Sequence, residues 1–360
     1  MKKTDFSKKV AISIIIPLFN KEKFIEKSLD SVLNQKNFSN YEIIIIDDGS
    51  TDNSVSIIKK NSLKNLKIIS IKKNRGVSVA RNIGIKHSVG EYIYFFDADD
   101  LIDKNALSEL YKITKKFNCD YVFSDFKKID YGKNQRKNIY NYSQDKLFKR
   151  NEIKKAMVNE LYDPSLGHLG LFGCNGRLIR SRILKKNNIF FDERLRWNED
   201  KTFGWKVLSH IRNARYVRKQ LYSYYYYQKI RTAVTDGIAD NTSLQFIKII
   251  LKIIEDNLKI VLFSKIEIFK LRQQGIIFFS IQALVGISNQ IYKKKINKNL
   301  GKKIRKKLIK NILQDKEITR SIKNYSCSKK ESRWIPSAIF FKSIKLTEIA
   351  CDLRAREVSE

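Results

Sequence analysis

Three carboxylates follow one apolar stretch: Asp97, Asp99 and Asp100 come directly after Phe95-Phe96. Buried carboxylates are costly without a counter-ion, so such a cluster needs a cation or several hydrogen-bond donors. Mg²⁺ and Mn²⁺ prefer oxygen ligands and often combine a few carboxylates with substrate phosphates. In an extended backbone Asp97 and Asp99 point to the same side, which predicts one divalent cation bridging a diphosphate. The alternative is an acidic turn that caps a helix predicted over Asp103–Leu110.

Apolar and amphipathic stretches alternate through the first hundred residues. Helical spacing predicts helices over Asn20–Leu33, Ser54–Lys60 and Ser78–His87. Four apolar stretches predict strands over Val10–Pro17, Tyr41–Ile46, Leu66–Ile71 and Tyr92–Phe96. This alternation predicts an α/β fold with a doubly wound, mainly parallel sheet. Ligands of such sheets bind beyond the carboxyl ends of the strands, where the polar segments 17–20, 47–48, 74–81 and 97–100 would meet.

Four sequence segments carry a family resemblance. They are Ser13–Asn20, Ile46–Asp52, Asn74–Asn82 and Phe96–Asp100. In this order and spacing they resemble the family 2 glycosyltransferases, which have the A-type glycosyltransferase fold. A looser match runs from Asn175 through Glu199-Asp200. The resemblance implies an inverting enzyme that takes a sugar from a nucleotide-diphosphate donor, in the usual case a UDP-sugar.

The resemblance also implies roles for individual residues. Those assigned to the nucleotide are Pro17, Asn20, Asp47, Asp48, Arg81, Asp97 and Ala98. Asp48 would accept a hydrogen bond from the base, with Asp47 as its possible substitute, and Arg81 would donate to the diphosphate or the nucleotide pocket. The alternative for the aspartates is a simple turn, and the alternative for Arg81 is a solvated helix face.

The resemblance places the metal and the catalytic base in two separate segments. Asp97 and Asp99 match the pair that binds Mn²⁺ or Mg²⁺. Glu199 and Asp200 match the segment that supplies the catalytic base, with Asp200 as the preferred residue. The base would remove the proton of an acceptor hydroxyl as its oxygen attacks the anomeric carbon opposite the departing diphosphate, which inverts that centre. The alternative for this pair is a helix N-cap.

The sequence changes character after about residue 240. We predict a catalytic domain over residues 1–235, with a nucleotide-sugar half to about 103 and an acceptor half over 104–235, followed by a helical, strongly basic region over 236–360. Apolar residues at helical spacing predict helices over Leu244–Leu262 and Ile266–Ile287. The segment Gly275–Ile287 is too short to span a bilayer.

The net charge of the chain suggests a location for the protein in the cell. The chain has 72 Lys and Arg against 37 Asp and Glu, a net charge of +35. Tyr292–Lys310 is amphipathic and cationic, which predicts peripheral attachment to the anionic inner face of the plasma membrane from the cytoplasm. Four widely spaced cysteines without metal-ligand spacing fit free thiols in that compartment. The predicted acceptor is a growing glycan or lipid-linked glycan of lipopolysaccharide, capsule or exopolysaccharide; the oligomeric state is left open.

Three other functions compete with this interpretation. The net charge suits a nucleic-acid-binding protein, but acidic clusters occupy the strand ends and no nucleic-acid motif is present, so we predict no nucleic-acid partner. A nucleotide-dependent oxidoreductase would need a glycine-rich turn where this chain has Pro17–Asn20. An inactive nucleotide-sugar binder is disfavoured by the joint presence of Asp97, Asp99 and Asp200.

Overall fold

The computed structural model describes residues 9–60, 65–130, 136–138, 144–162, 169–195, 198–226, 244–293, 296–327 and 334–357. These residues form two compact units. The first takes in most of residues 9–153, 170–193 and 199–226, and the second takes in residues 154–162 and the helices from 244 onward. The domain boundary predicted between residues 235 and 236 lies outside the described residues.

One mixed sheet forms the centre of the first unit. Its strands are β1 Ile12–Leu18, β2 Tyr41–Asp47, β3 Leu66–Ser70, β4 Tyr92–Phe95, β5 Leu101–Ile102, β6 Tyr121–Asp130, β7 Arg136–Asn138, β8 Lys146–Lys149, β9 Arg177–Arg180 and β10 Asn213–Tyr226. Their order is β3-β2-β1-β4-β9-β6-β10-β5, with β7 beside β6 and β8 beside β10. The pairs among β1–β4 and the pair β6–β10 are parallel, whereas β9 is antiparallel to both β4 and β6. The predicted mainly parallel α/β fold is confirmed.

In the described part of the chain, eight helices lie between or beside these strands. They are α1 Ile25–Leu33, α2 Ser54–Lys59, α3 Val77–His87, α4 Ala106–Phe117, α5 Arg150–Tyr162, α6 Leu169–Phe172, α7 Ser181–Lys186 and α8 Glu199–His210. Two predicted boundaries were wrong. The first helix does not start at Asn20, because Asn20 adopts a left-handed backbone with φ of 49°. The helix predicted over Asp103–Leu110 begins three residues later and continues to Phe117.

The core explains why the first two strands are so rich in isoleucine. Every isoleucine of β1 and β2 is fully buried, as expected for parallel strands covered on both faces. On one face α3 packs unusually close to β1. A Cβ atom added at Gly84 would lie 2.3 Å from Cγ2 of Ile15. Only a residue without a side chain lets α3 approach this near, so Gly84 sets the distance between α3 and β1.

The second unit is helical, as predicted. Its helices are α9 Leu244–Ile260, α10 Lys265–Tyr292, α11 Lys298–Gln314, α12 Lys316–Ser321, a 3-10 turn at Ile322–Asn324, α13 Trp334–Phe340 and α14 Ile344–Glu357. The long helix is α10, which begins at a Ser264–Glu267 capping box. The buried Gln274 of α10 accepts from the backbone N–H of Ser326 at 3.0 Å and donates to its carbonyl at 2.7 Å.

Helix α10 corrects the expectation of a short apolar segment. It has 28 residues and is long and apolar enough to cross a membrane, yet 67% of its most apolar window is buried in the protein. Such burial is typical of the core helix of a soluble bundle. Another polar link of this unit joins Arg305 of α11, 2% exposed, to Asp352 of α14 at 2.5 Å. All four cysteines are free thiols, as predicted.

Candidate active site

The loops after β1 and β2 are joined at the carboxyl edge of the sheet. The backbone N–H of Asn20 donates to the Ser50 hydroxyl at 3.1 Å, and the Asn20 side chain accepts from the backbone of Thr51 at 2.8 Å. The next residue, Lys21, donates its backbone N–H to the Ser54 hydroxyl at 2.8 Å. These bonds use the short polar side chains of Asn20, Ser50 and Ser54. Pro17, in β1, lies just before this junction.

Asp48 anchors a loop, which the sequence did not predict. Its carboxylate is 3% exposed and accepts from the backbone N–H groups of Arg75 and Gly76, each at 2.7 Å. Asp47 is also buried and accepts from the backbone N–H of Ser50 at 2.9 Å. Both aspartates thus hold the backbone of the nucleotide-side loops. Base recognition by Asp48 through its remaining lone pairs stays a prediction.

Arg81 of α3 lies at the centre of the site. Only 4% of this residue is exposed, so the solvated helix face considered for it was wrong. Nη2 donates to Oδ1 of Asp97 at 3.0 Å, and Nη1 lies 3.5 Å from Oε1 of Glu199. The guanidinium is 5.2 Å from the ring centre of Phe191. Burial acts to lower the pKa of Arg81, but surrounding negative charges, Asp97 and Glu199 among them, hold the pKa above its ordinary value.

The acidic segment after β4 is a turn, and the extended geometry predicted for Asp97 and Asp99 was therefore wrong. The backbone N–H of Asp100 donates to the carbonyl of Asp97 at 3.1 Å, which folds the chain back on itself. Besides Arg81, Asp97 accepts from the side-chain amide of Asn175 at 2.5 Å. Asp99 pairs with the ammonium of Lys21. Ala98 between them is 2% exposed and packs into the apolar core.

Asp100 belongs to the scaffold of this turn. Its carboxylate accepts from the Tyr222 hydroxyl at 2.5 Å and from the backbone N–H of Tyr225 at 3.0 Å, which ties the turn to β10. Burial, followed by the charges of Asp97 and Asp99, raises the pKa of Asp100 well above its ordinary value. A carboxyl group of this kind stabilises the turn and is poorly placed to serve as an exposed metal ligand.

Glu199 and Asp200 occupy the first turn of α8, where the helix dipole favours negative charge. They are therefore inside the helix, and the N-cap alternative was wrong. Burial, and then the charge of Asp200, raises the pKa of Glu199 to about 7. Asp200 accepts from the backbone N–H of Lys201 at 2.7 Å. Glu199 is thus joined to the nucleotide side through Arg81, while the role of Asp200 as base stays a prediction.

Sequence reasoning missed three residues at this site: Lys21, Asn175 and Tyr222. Each contacts the acidic turn from a distant part of the chain. Asn175 reaches it because a bridge pairs it with Phe95 at the end of β4. Asn175 is the first residue of the looser family match, which was a weak indication that it belongs to the site.

The donor set at Asp97 and Asp99 suits a hard divalent cation in its chemistry, because both offer carboxylate oxygens. Each also contacts a cationic side chain, Arg81 or Lys21. Among the residues that the structure describes, no three His, Cys, Asp or Glu side chains are grouped as a metal site. A cation at these two aspartates would need nucleotide phosphates and water to complete its coordination, which is the common mode for Mg²⁺, and its binding stays a prediction.

Residues 13–186, which contain the loops and the acidic turn just described, match the family description "Glycosyl transferase family 2". This region is a family 2 glycosyltransferase domain. The predicted family is thereby confirmed. The match includes Arg81, Asp97, Asp99 and Asn175 and ends before Glu199 and Asp200.

Two curated relatives of this family 2 domain are named for transfer to poly(ribitol-phosphate). Over 219 residues the chain is 34% identical to the poly(ribitol-phosphate) beta-N-acetylglucosaminyltransferase TarP of Staphylococcus aureus, covering 59% of this chain and 62% of that protein. Over 222 residues it is 31% identical to a poly(ribitol-phosphate) beta-glucosyltransferase of Bacillus spizizenii, covering 61% of this chain and 32% of that protein. The chain thus spans less than two thirds of the length of these relatives.

Solved structures share the fold over nearly the whole chain. The crystal structure of residues 1–349 of Staphylococcus aureus TarS in complex with UDP-GlcNAc has a TM-score of 0.68 and covers 97% of this chain and 92% of that one. The sequence identity is 20%. The same protein has also been solved with UDP. At this identity the likeness establishes the A-type glycosyltransferase fold with its helical C-terminal region.

Proposed function

We propose that this protein is an inverting glycosyltransferase that moves a sugar from a UDP-sugar to a hydroxyl group of a glycan acceptor. The observation that carries the proposal is the position of Arg81, which contacts Asp97 on the nucleotide side and Glu199 beside the predicted base. One buried guanidinium thus links the donor-binding and base-bearing segments. UDP as the nucleotide is supported by the UDP and UDP-GlcNAc complexes of the structural relative.

The residues divide the chemistry between them. Asp200 removes the proton of the acceptor hydroxyl, and that oxygen forms the new bond to the anomeric carbon while the bond to the diphosphate breaks on the opposite face. Glu199 and Arg81 keep the base segment and Asp97 in fixed relation, which preserves the alignment that such a displacement needs. A divalent cation held by Asp97 and Asp99 would neutralise the charge that develops on the departing diphosphate.

The acceptor we propose is a phosphate-containing surface polymer. Two relatives are named for transfer to poly(ribitol-phosphate), which favours this class over the lipopolysaccharide or capsule predicted from the sequence. A chain with a net charge of +35 is electrostatically suited to an acceptor that carries one negative charge per repeat.

We also propose that the second unit attaches the enzyme to the inner face of the plasma membrane through α11. This helix contains no Asp or Glu, and one of its faces is exposed and lysine-rich. The exposed lysines are Lys298, Lys302, Lys303, Lys306, Lys307 and Lys310. Each basic residue close to an anionic bilayer contributes about 1 kcal/mol, so this face alone could hold the protein at the surface.

Calorimetric titration with UDP, with and without Mn²⁺, tests the donor site. We expect binding that strengthens with Mn²⁺ and weakens strongly in Asp97→Ala. A transfer assay with UDP-GlcNAc and a poly(ribitol-phosphate) acceptor then separates an active enzyme from an inactive nucleotide-sugar binder. Binding of GDP or dTDP in preference to UDP would refute the proposed donor class. Donor binding with no transfer to any polyol-phosphate or glycan acceptor would refute the enzymatic function.

A further inference from the structure

Lys21 places a positive charge on one of the two aspartates assigned to the metal. Its ammonium pairs with Oδ2 of Asp99, and its backbone is fixed by the Ser54 hydroxyl. The pair is enclosed: the side chain of Lys21 is 28% exposed and that of Asp99 is 18% exposed. The ammonium is also 5.9 Å from the ring centre of Phe24, an arrangement that favours a cation. A fixed anchor and a flexible stem thus deliver this charge to Asp99.

The two cations of the acidic turn differ in how easily they can leave. Arg81 is 4% exposed and contacts Asp97, Glu199 and Phe191, so it is held from three sides. Lys21 contacts the turn through one carboxylate oxygen and has a four-carbon stem with free rotation. Of the two cations, Lys21 is therefore the one that a metal ion can displace.

A divalent cation at Asp99 would share one carboxylate with the Lys21 ammonium, which already occupies Oδ2. Both carry positive charge, and at contact distance in a partly buried site they repel each other strongly. Asp97, the other assigned ligand, could not hold the metal without Asp99, because it already accepts from Arg81 at Oδ1 and from Asn175 at Oδ2. A metal at this site would therefore compete with Lys21 for the negative charge of Asp99.

We propose that Lys21 is a built-in competitor for the divalent cation at Asp99. Its competition keeps the affinity for metal alone low, and the negative charge of a nucleotide diphosphate shifts the balance towards the metal. Metal and nucleotide consequently bind together and the metal does not accumulate alone. This inference rests on the metal site proposed above and adds to it a residue that makes metal binding depend on nucleotide binding.

The test is a titration of the full chain with Mn²⁺, followed by the electron paramagnetic resonance signal of free Mn²⁺. Without nucleotide, Lys21→Met should bind Mn²⁺ on the order of tenfold more tightly than the wild type, because a competing charge is gone. Lys21→Arg should retain weak binding. Lys23→Met is the matched control, because it removes the same charge from an exposed position two residues away and should change nothing. With saturating UDP, the difference between wild type and Lys21→Met should shrink.

The possible results separate this inference from the metal proposal. Equal or weaker Mn²⁺ binding by Lys21→Met, in a wild type that binds Mn²⁺ when UDP is present, overturns the competitor role and leaves the metal site standing. A wild type that binds no Mn²⁺ even with UDP overturns both. Thermal unfolding of each variant verifies the fold, and Lys21→Arg provides a second comparison if Lys21→Met is unstable.

Discussion

Nη2 of Arg81 lies 3.0 Å from Oδ1 of Asp97, and 5% of the arginine side chain is exposed there against 27% of the aspartate side chain. An ion pair of this kind is stabilising only as a pair, because either partner alone would be a desolvated charge. Arg81 is the more buried of the two partners and therefore loses more of its hydration. The same guanidinium contacts Glu199, so its loss affects two segments at once.

We therefore expect Arg81→Met to lower the free energy of unfolding by about 3 kcal/mol, the usual cost of breaking a buried pair. Transfer activity should be lost together with the alignment of Glu199. Urea denaturation measures the first effect and a UDP-sugar transfer assay the second. Arg75→Met is the matched control, since 57% of the Arg75 side chain is exposed and its guanidinium lies 3.8 Å from the Glu193 carboxylate. That variant should change stability by less than about 1 kcal/mol. Equal losses in both variants would contradict the central position of Arg81.

Removal of the metal-assigned carboxylates should act on donor binding. Asp97→Ala and Asp99→Ala are each expected to abolish the Mn²⁺-dependent part of UDP binding, because these two residues are the protein ligands proposed for the metal. Calorimetry measures this part directly. Asp30→Ala, an exposed aspartate on α1, is the charge-matched control. Full Mn²⁺ dependence in Asp99→Ala would remove that residue from the metal site.

Asp200→Asn should separate catalysis from binding. The amide cannot take the acceptor proton, so the transfer rate should fall at least ~100-fold, the usual scale of general-base catalysis. UDP affinity should stay within about twofold, because Asp200 lies on the base segment and has no assigned contact to the nucleotide. Rate measurements and calorimetry on the same preparation give both values. Normal turnover would exclude Asp200 as the base and direct attention to Glu199.

Glu199 should give stability a pH dependence. Its pKa is raised to about 7 in the folded protein, from 4.5 in the unfolded chain. The folded state therefore binds more protons in this interval, and stability from this group is complete below pH 4.5 and is lost as the pH rises through 7. The wild type should lose about 3 kcal/mol relative to Glu199→Gln between pH 4.5 and 7.5. Urea unfolding of both proteins at pH 4.5 and 7.5 measures this loss. An equal change in the free energy of unfolding of the two proteins would contradict the raised pKa.

The lysine-rich face of α11 should determine vesicle binding. Lys302→Ala combined with Lys306→Ala should weaken association with anionic phosphatidylglycerol vesicles about tenfold or more, since each residue near the surface contributes about 1 kcal/mol. Co-sedimentation measures it. The control is Lys112→Ala with Lys116→Ala, the same change in exposed charge on α4 of the first unit. Equal losses would mean that net charge alone drives binding. No binding by the wild type would rule out membrane attachment.

The sequence predicted the sheet well and the site only in outline. The many isoleucines of β1 and β2 indicate strands buried on both faces, and the polar segments after them must then meet at one edge. The partners of those polar residues depend on contacts between distant segments. Asn175 and Asp97 are 78 positions apart, and local periodicity carries no information about such a pair. For the same reason, local periodicity did not predict the backbone hydrogen bonds that Asp48 accepts or the left-handed backbone conformation of Asn20.

The close packing of Gly84 on Ile15 makes chemistry at this edge depend on a position that has no polar atom. A methyl group there would collide with β1 and lift α3, and Arg81 on the next turn towards the N-terminus would move away from Asp97. Variation at residue 84 could therefore inactivate the protein while every acidic and basic residue remained intact. A survey of natural variants confined to charged positions would overlook it.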